Sequence, residues 1–324
     1  MQPIRLNRND LIFIVICLVV LAAGTLYSVN NFQKAFPEAS IDFQVSKDEA
    51  GEIGIRFLEE QVGFDVPEEY REATRFFGGG LDKIYLEREL RLEEAQNWFN
   101  APVPVWGWYH RAFMPGVKRE YRVEVSPGGE VFSFRRLIEE TAEGDSLEED
   151  SARAIAYEFM TDVMEISPDS VELHETKRQS RPNRVDWIFT WKRNGPVPVG
   201  DEDYRYDVTL QGSQIGMFQA YMHIPQVWRD GFRKLRGKNQ SAGMVASALY
   251  GLTMLGLLFW LVRAIIRRDI QWRTALVFGI IAAVLTYLNQ LNELPLRLVG
   301  YNTEDPWGGF LADQLLFGLL QAMA

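Results

Sequence analysis

Histidine and cysteine are the side chains best suited to bind a transition metal or to serve as catalytic bases and nucleophiles, and this chain has few of them. Its three histidines are His110, His174 and His223, and its one cysteine is Cys17. None of the histidines has a second His or Cys at the short spacing that places two ligands on one metal ion. We therefore predict no metal site and no cofactor site, and we interpret the histidines as surface or strand residues. One cysteine cannot form a disulfide within the chain.

One short stretch has a spacing that could serve catalysis. Glu148 and Glu149 are followed by Arg153, which gives Glu-Glu-x-x-x-Arg. This resembles a signature of the CPBP family, the CAAX-protease and bacteriocin-processing intramembrane proteases. In that family the motif lies on a membrane helix, where a glutamate activates water with the help of histidines on neighbouring helices. Here the stretch begins a polar helix, and acids in a first turn suit the helix dipole. We therefore predict no catalytic residue.

Other common catalytic and ligand-binding patterns are also missing from the sequence. There is no Gly-x-Ser-x-Gly stretch for a nucleophilic serine. Gly78-Gly79-Gly80 lacks the Lys-Ser or Lys-Thr of a phosphate loop and is interpreted as a turn. Asp and Glu outnumber Lys and Arg by 44 to 34, mostly between residues 38 and 207. An acidic chain lacks the basic face that nucleic acids require, so we predict no nucleic-acid partner.

Apolar runs indicate a membrane protein. Residues 11–29 carry no charge and predict a transmembrane anchor, with 1–10 on the cytoplasmic side. The alternative is a cleavable signal peptide, whose apolar core would be shorter, about 7–15 residues. Further spans are predicted at 241–262 and 274–291. Residues 310–324 read as the start of a further, truncated membrane helix.

Basic residues set the predicted orientation. Arg263, Arg267, Arg268 and Arg273 lie between the second and third spans, so 263–273 is predicted to be a cytoplasmic loop. Residues 30–240 and the loop 292–309 then lie outside the cytoplasm. The predicted location is the bacterial inner (cytoplasmic) membrane, crossed several times, with the lipid bilayer as a partner. Five cations between residues 229 and 238 lie on the outer side against this rule; headgroup contact and a solvated basic stretch are both open for them.

The large insert contains an internal similarity. Residues 121–125 and 204–208 are alternating strands, and each is followed by a glycine turn and a second strand. An aromatic strand precedes each hairpin, around Trp108 and Trp187, and an amphipathic helix precedes each of these strands. Ser46 and Glu49 have capping-box spacing at the first helix. The expected fold class is α+β, with two helix-over-antiparallel-sheet repeats, about 46–138 and 147–225, plus α-helical transmembrane segments. The first repeat carries an insertion at roughly 76–104.

The order of these parts resembles known membrane proteins. The two repeats resemble the PepSY-type units of bacterial extracytoplasmic domains. An anchor, an outer domain and a membrane bundle, with the stretch from Arg297 to Phe310 as an outer loop, are similar to the amino-terminal part of long CPBP members. The resemblance implies the amino-terminal region of an intramembrane protease that lacks the catalytic motifs and is inactive as it stands. Its outer domain would bind or gate a peptide or protein substrate. The alternative is a non-enzymatic, membrane-anchored binding or sensor protein.

Overall fold

The computed structural model describes residues 7–200 and 202–323. Seven helices lie within these ranges: α1 (Arg8–Ala35), α2 (Lys47–Arg56), α3 (Leu81–Ala95), α4 (Glu149–Glu158), α5 (Gln226–Ile266), α6 (Trp272–Leu298) and α7 (Trp307–Met323). Eight strands accompany them: β1 (Arg71–Phe77), β2 (Gly107–Phe113), β3 (Glu120–Val125), β4 (Val131–Leu137), β5 (Val171–Ser180), β6 (Val185–Arg193), β7 (Asp203–Gln211) and β8 (Gln214–His223). The chain therefore has a mixed α+β fold.

All eight strands form one antiparallel sheet in the order β1-β2-β3-β4-β8-β7-β6-β5. The two halves meet where β4 pairs with β8, with Phe134 opposite Phe218. The sequence predicted a separate sheet for each half, and this was wrong. An uncovered β4 would present unpaired backbone groups, and pairing with β8 satisfies them.

Alternation along the strands divides the sheet into two different faces. In β7 the even-numbered side chains from Tyr204 to Leu210 are buried, whereas Asp203, Arg205, Asp207 and Thr209 are half-exposed. The buried face is covered by α2, which contacts β1, β2 and β3, and by α4, which contacts β6 and β7. The opposite face, here called the open face, is polar.

The two covering helices end in the same way. Each runs directly into one π-helical turn, at Phe57–Gln61 and Phe159–Val163. Gly63 and Glu165 follow these turns with positive φ, at 78° and 53°. The capping box of Ser46 and Glu49 is present at α2, whereas α4 begins without a side-chain cap.

Four phenylalanines join the halves into one core. Phe57 contacts Phe134 with ring centroids 5.7 Å apart, Phe134 contacts Phe159 at 5.8 Å, and Phe159 contacts Phe218 at 6.2 Å. Phe159 is buried, and Phe57 is half-buried against the same cluster. The sequence predicts a separate helix-over-sheet unit for each half, but both side chains share a single core.

Strands β1 and β5 were not predicted from the sequence. Each half has four strands, whereas the sequence predicts three. The two additional strands lie at the sheet edges, and their side chains lack the clear alternation that indicates a strand. The β5 side chains are mostly exposed and polar, since an edge strand with one neighbour has little need of apolar residues. The insertion of the first half contains α3, which packs Tyr85 and Leu86 into a second apolar cluster.

Three helices are long and apolar enough to cross a membrane: Arg8–Phe32, Gln226–Ile266 and Trp272–Leu298. They match the predicted spans in position. However, α6 continues through Pro295 to Leu298, so the first seven residues of the predicted loop 292–309 are helical. Proline supplies a helical φ and removes only one backbone hydrogen bond, and here it lies within the last turn. The segment predicted at 310–324 is helical from Trp307 to Met323 as α7, and Ala324 lies outside the described residues.

Candidate functional site

The Glu-Glu-x-x-x-Arg stretch lies on the sheet domain. Glu148 is the N-terminal flanking residue of α4, and Glu149 is in its first turn. Arg153 pairs with Asp150 at 2.5 Å and with Glu149 at 3.7 Å, and all three side chains are substantially exposed. Ion pairs between neighbours on an exposed helix stabilise it slightly. This geometry accounts for the stretch as the solvated start of a helix.

The histidines lie apart from this stretch in the fold. His110 is buried beneath α2, where its Nδ1 lies 2.8 Å from Thr74 Oγ1. The space is tight, since a Cβ on Gly51 would lie 3.0 Å from the same nitrogen. Burial lowers the pKa of His110 to about 4. His174 is exposed on the edge strand β5 and His223 ends β8.

Within residues 7–200 and 202–323, no group of three or more His, Cys, Asp or Glu side chains is arranged to hold a metal ion. The candidate site consists of hydrogen-bonding and charged groups on the surface of the sheet.

A continuous polar row crosses the open face. Strand register places its members directly opposite one another on all eight strands: Arg75, Tyr109, Glu124, Ser133, Gln219, Asp207, Thr190 and Glu175. Directly opposite side chains on one face are in contact distance. The row thus forms a surface on which an extended polar ligand could make successive hydrogen bonds.

A parallel arginine row lies beside the polar row. Arg111, Arg122 and Arg135 are opposite one another on β2, β3 and β4, and Met217 continues the row on β8. The Arg135 guanidinium approaches the Met217 sulfur at 3.0 Å. Arginine is the side chain best suited to form bidentate hydrogen bonds with a carboxylate.

The two rows enclose a pocket of about 220 Å³ at the centre of the sheet. Its lining includes Tyr109, Arg122, Glu124, Arg135 and Gln219. Burial raises the pKa of the Glu124 carboxyl, although contacts with Ser133 and the charge of Arg135 act in the opposite direction. The pocket therefore combines arginine donors with a carboxyl group that protonates more readily than usual.

The second acid of the polar row is also partly desolvated. Burial raises the pKa of Asp207, which accepts a 2.7 Å hydrogen bond from Thr190 Oγ1. Burial, followed by the charge of Asp207, raises the pKa of Tyr221 to about 12. The polar row thus continues across the second half of the sheet with donors and acceptors in alternation.

One end of the arginine row contacts the loop between α6 and α7. Arg111 is buried and donates to Glu120, with Nε to Oε2 at 2.9 Å. Its Nη1 donates to the carbonyl oxygens of Val299 at 3.1 Å and Tyr301 at 2.5 Å. These carbonyls belong to the loop between α6 and α7. We name this contact the sheet–hairpin junction and define it by Arg111, Glu120, Val299 and Tyr301.

Aromatic packing reinforces the junction. Tyr301 is buried against Phe113, Trp307 and Phe310, at centroid distances of 5.5, 5.1 and 4.8 Å. The Arg71 guanidinium lies 4.3 Å above the Trp307 ring. Gly116 N donates to Thr303 O at 2.8 Å. The junction therefore combines apolar burial, cation–π contact and backbone hydrogen bonds.

The pocket and the junction are contiguous. A second pocket of about 370 Å³ is lined by Tyr109 and Arg122, which also line the central pocket, and by loop residues from Val299 to Glu304. Glu120 connects them chemically, because it pairs with Arg111 through one oxygen and with Arg122 through the other. A ligand that displaces Arg122 would therefore disturb the partner of Arg111.

Sequence reasoning did not identify this site. The sequence predicts an outer loop over the stretch from Arg297 to Phe310, and Arg111 follows the predicted aromatic strand around Trp108. No clear signal in the sequence marks Arg111, which lies between His110 and Ala112. Its partner Glu120 is nine residues away, and its loop partners are much further along the chain.

No family model, curated protein or solved structure matches this chain.

Proposed function

We propose that this chain is a multi-pass membrane protein whose sheet domain binds an extended peptide or protein segment on its open face. Binding of this segment would change the conformation of the helical hairpin of α6 and α7. The sheet–hairpin junction carries this proposal, because Arg111 is at once the end of the arginine row and the anchor of the α6–α7 loop.

A physical route for the transmission runs through Glu120. A ligand carboxylate that pairs with Arg122 competes with Glu120 for that guanidinium. Glu120 then keeps Arg111 as its arginine partner, and the geometry of this buried pair changes because the carboxylate is no longer drawn toward Arg122. Because buried ion pairs depend strongly on geometry, the two loop carbonyls held by Arg111 are the groups that respond first.

The resemblance to the amino-terminal region of CPBP-like intramembrane proteases fits this role. In that proposal the sheet domain lies outside the cytoplasm of a bacterium and gates substrates toward membrane helices. The stretch from Arg297 to Phe310, which carries the resemblance, contains Val299 and Tyr301 of the junction. Each half has a covering helix followed by four strands, with α3 inserted after β1 in the first half, and this order supports the proposed PepSY-like repeat. Equivalent register supports it too, since Trp108 faces Val125 and Trp187 faces Leu210 next to matching irregularities.

A second candidate is a non-enzymatic sensor of the same architecture. The placement of Glu148, Glu149 and Arg153 favours it, because these residues lie on an exposed helix of the sheet domain. In this version the hairpin of α6 and α7 reports ligand occupancy to a membrane partner instead of presenting a substrate.

Hydrogen exchange of the full chain in lipid nanodiscs tests the coupling. The Gly116 amide, which donates to Thr303, should be protected in the wild type. Arg111→Met should remove that protection and increase exchange in residues 299–305, because the loop carbonyls lose their donor. Arg135→Met is the matched control, since it removes an arginine of the same row that contacts Met217 on β8. Equal protection in all three proteins would reject the proposal.

The proposed orientation is tested separately by cysteine labelling from outside, in a Cys17→Ser background. Ser180 on the edge strand β5 is exposed and serves as the probe position on the sheet domain. Ser180→Cys should be labelled in intact cells and Gln271→Cys only after permeabilisation. The reverse pattern would place the sheet domain in the cytoplasm.

A further inference from the structure

Five cations surround α5 just before its apolar part. We name them the basic collar: Arg229, Arg233, Lys234, Arg236 and Lys238. At 100° per residue, Arg229, Arg233 and Arg236 share one side of the helix, whereas Lys234 and Lys238 lie on the other. Four of the five are exposed, and Arg229 is half-buried. A cationic ring around a helix suits an environment that is anionic on all sides, not a single protein surface.

Acidic side chains of the protein neutralise little of the positive charge of the basic collar. Over the described parts of the chain, its one ion pair joins Arg233 to Asp230 at 2.8 Å. Lys234 and Lys238 have no carboxylate within ion-pair distance there, and the Arg236 guanidinium lies 5.9 Å from the Phe232 ring. The chain as a whole has a net charge of −10, so this concentration of positive charge is local.

The length of α5 places the collar at the membrane surface. The helix has 41 residues, about 61 Å at 1.5 Å per residue. The uncharged part from residue 239 to 262 spans about 36 Å, which covers a hydrocarbon core of about 30 Å. The collar precedes it within roughly 15 Å of helix, so the end of the collar next to the apolar part lies in the headgroup layer, about 5–8 Å deep, and its start lies in the adjacent water.

The collar is also firmly joined to the sheet domain. Trp228 packs edge-on against Tyr85 at 5.0 Å, stacks on Phe232 at 5.1 Å and donates Nε1 to Glu89 at 2.7 Å. The Arg88 guanidinium of α3 lies 5.5 Å from the Phe232 ring. Anything that holds the collar therefore also restricts the tilt of the sheet above the bilayer.

We propose that the basic collar binds the headgroups of anionic phospholipids and thereby fixes the sheet domain close to the membrane surface. The phosphate oxygens of these headgroups accept charge-assisted hydrogen bonds from lysine and arginine. The inference rests on the proposed membrane insertion of α5, but not on which side of the membrane the sheet domain lies. Nor does it depend on the sheet–hairpin junction.

The test uses the full chain in nanodiscs of phosphatidylcholine with a trace of spin-labelled lipid. Electron paramagnetic resonance measures the motionally restricted fraction of spin-labelled phosphatidylglycerol and, separately, of spin-labelled phosphatidylcholine. The variant combines Arg233→Gln, Lys234→Gln, Arg236→Gln and Lys238→Gln. The control has the same change in charge on exposed residues of α2 and β5: Lys47→Gln, Arg56→Gln, Lys177→Gln and Arg178→Gln.

The wild type and the control should prefer phosphatidylglycerol by about fivefold or more, the factor for one cation at about 1 kcal/mol. The collar variant should show a smaller preference than the wild type and the control, with the remainder due to Arg229 and to the arginines at residues 263–273, and high salt should reduce the preference. A collar variant with the full wild-type preference, or a control that loses it, would overturn the proposal. Loss of the preference on adding inorganic phosphate at constant ionic strength would instead assign the collar to free phosphate and would also overturn it. Because nanodiscs expose both leaflets, a wrong orientation leaves the expected result unchanged.

Discussion

His110 is the residue for which burial has the clearest chemical consequence. Its side chain is 1% exposed, its pKa is lowered to about 4, and Glu72 Oε2 lies 3.7 Å from its Nε2. In the unfolded chain its pKa is about 6.5. Protons therefore bind the unfolded state preferentially as the pH falls from about 6.5 to 4, and stability decreases over that window.

We expect a loss of about 3 kcal/mol from this group between pH 7 and pH 4. His110→Leu removes the titrating group and should flatten the dependence on pH, although stability at pH 7 falls because Thr74 loses its partner. Unfolding of both proteins by urea at a series of pH values measures the difference in slope. Identical slopes would show that His110 is not buried in the neutral form.

The acidic residues at the start of α4 are predicted to have a structural role. The purified chain should hydrolyse no peptide bond, with or without added zinc. Glu148→Ala and Glu149→Ala should alter only the stability of α4, by a few tenths of a kcal/mol. Digestion assays on labelled peptides measure this. Metal-dependent cleavage that either substitution abolishes while the protein stays folded would make the stretch an active site.

At the scale of elements, the turn after each covering helix has the same backbone conformation in both halves but a different residue at its positive-φ position. Gly63 and Glu165 occupy the same place after the two π-helical turns, and both have positive φ. The amides of Phe64 and Ile166 then bond back to the carbonyls of Leu58 and Met160. Glycine adopts this backbone region freely, whereas other residues pay about 1–2 kcal/mol.

Glu165→Gly should therefore stabilise the protein by about 1 kcal/mol. Glu165→Ala is the control and should bring no such gain, because alanine has the same Cβ restriction. Gly63→Ala should destabilise by a similar amount. Thermal unfolding followed by near-ultraviolet circular dichroism measures all three changes. A gain with alanine equal to that with glycine would attribute the effect to the lost charge instead of the backbone.

Much of the element pattern could be predicted from sequence, because hairpins and amphipathic helices depend on neighbouring residues. The strands around Tyr121 and Tyr204, the capping box at Ser46 and the apolar spans are of this kind. The sequence similarity aligns Tyr121 with Tyr204. When Trp108 is instead aligned with Trp187, Tyr121, opposite Ala112, corresponds to Tyr206, opposite Trp191, which is two residues further along. Edge strands β1 and β5 were missed because their side chains carry little periodic signal.

At the scale of the whole molecule, two features of the fold could not be predicted from the sequence. The joining of both halves through β4 and β8 depends on backbone pairing between Phe134 and Phe218, which local patterns do not encode. The sheet–hairpin junction depends on a buried arginine meeting two carbonyls, and any loop supplies carbonyls. Long-range contacts made through the backbone leave no compositional trace, so the candidate site emerged only from the fold.

The proposed coupling depends on the contact between the sheet domain and the α6–α7 hairpin. Its most direct test places a photo-crosslinking phenylalanine derivative at position 307 of the full chain in membranes, where Trp307 lies under the Arg71 guanidinium. Mass spectrometry then maps the crosslinked peptide. The structure predicts an intrachain crosslink to residues of β1 between Arg71 and Phe77, and the same probe at position 272, at the opposite end of α6, should give none. Crosslinks from position 307 only to lipid or to other chains would contradict the junction and, with it, the proposed coupling.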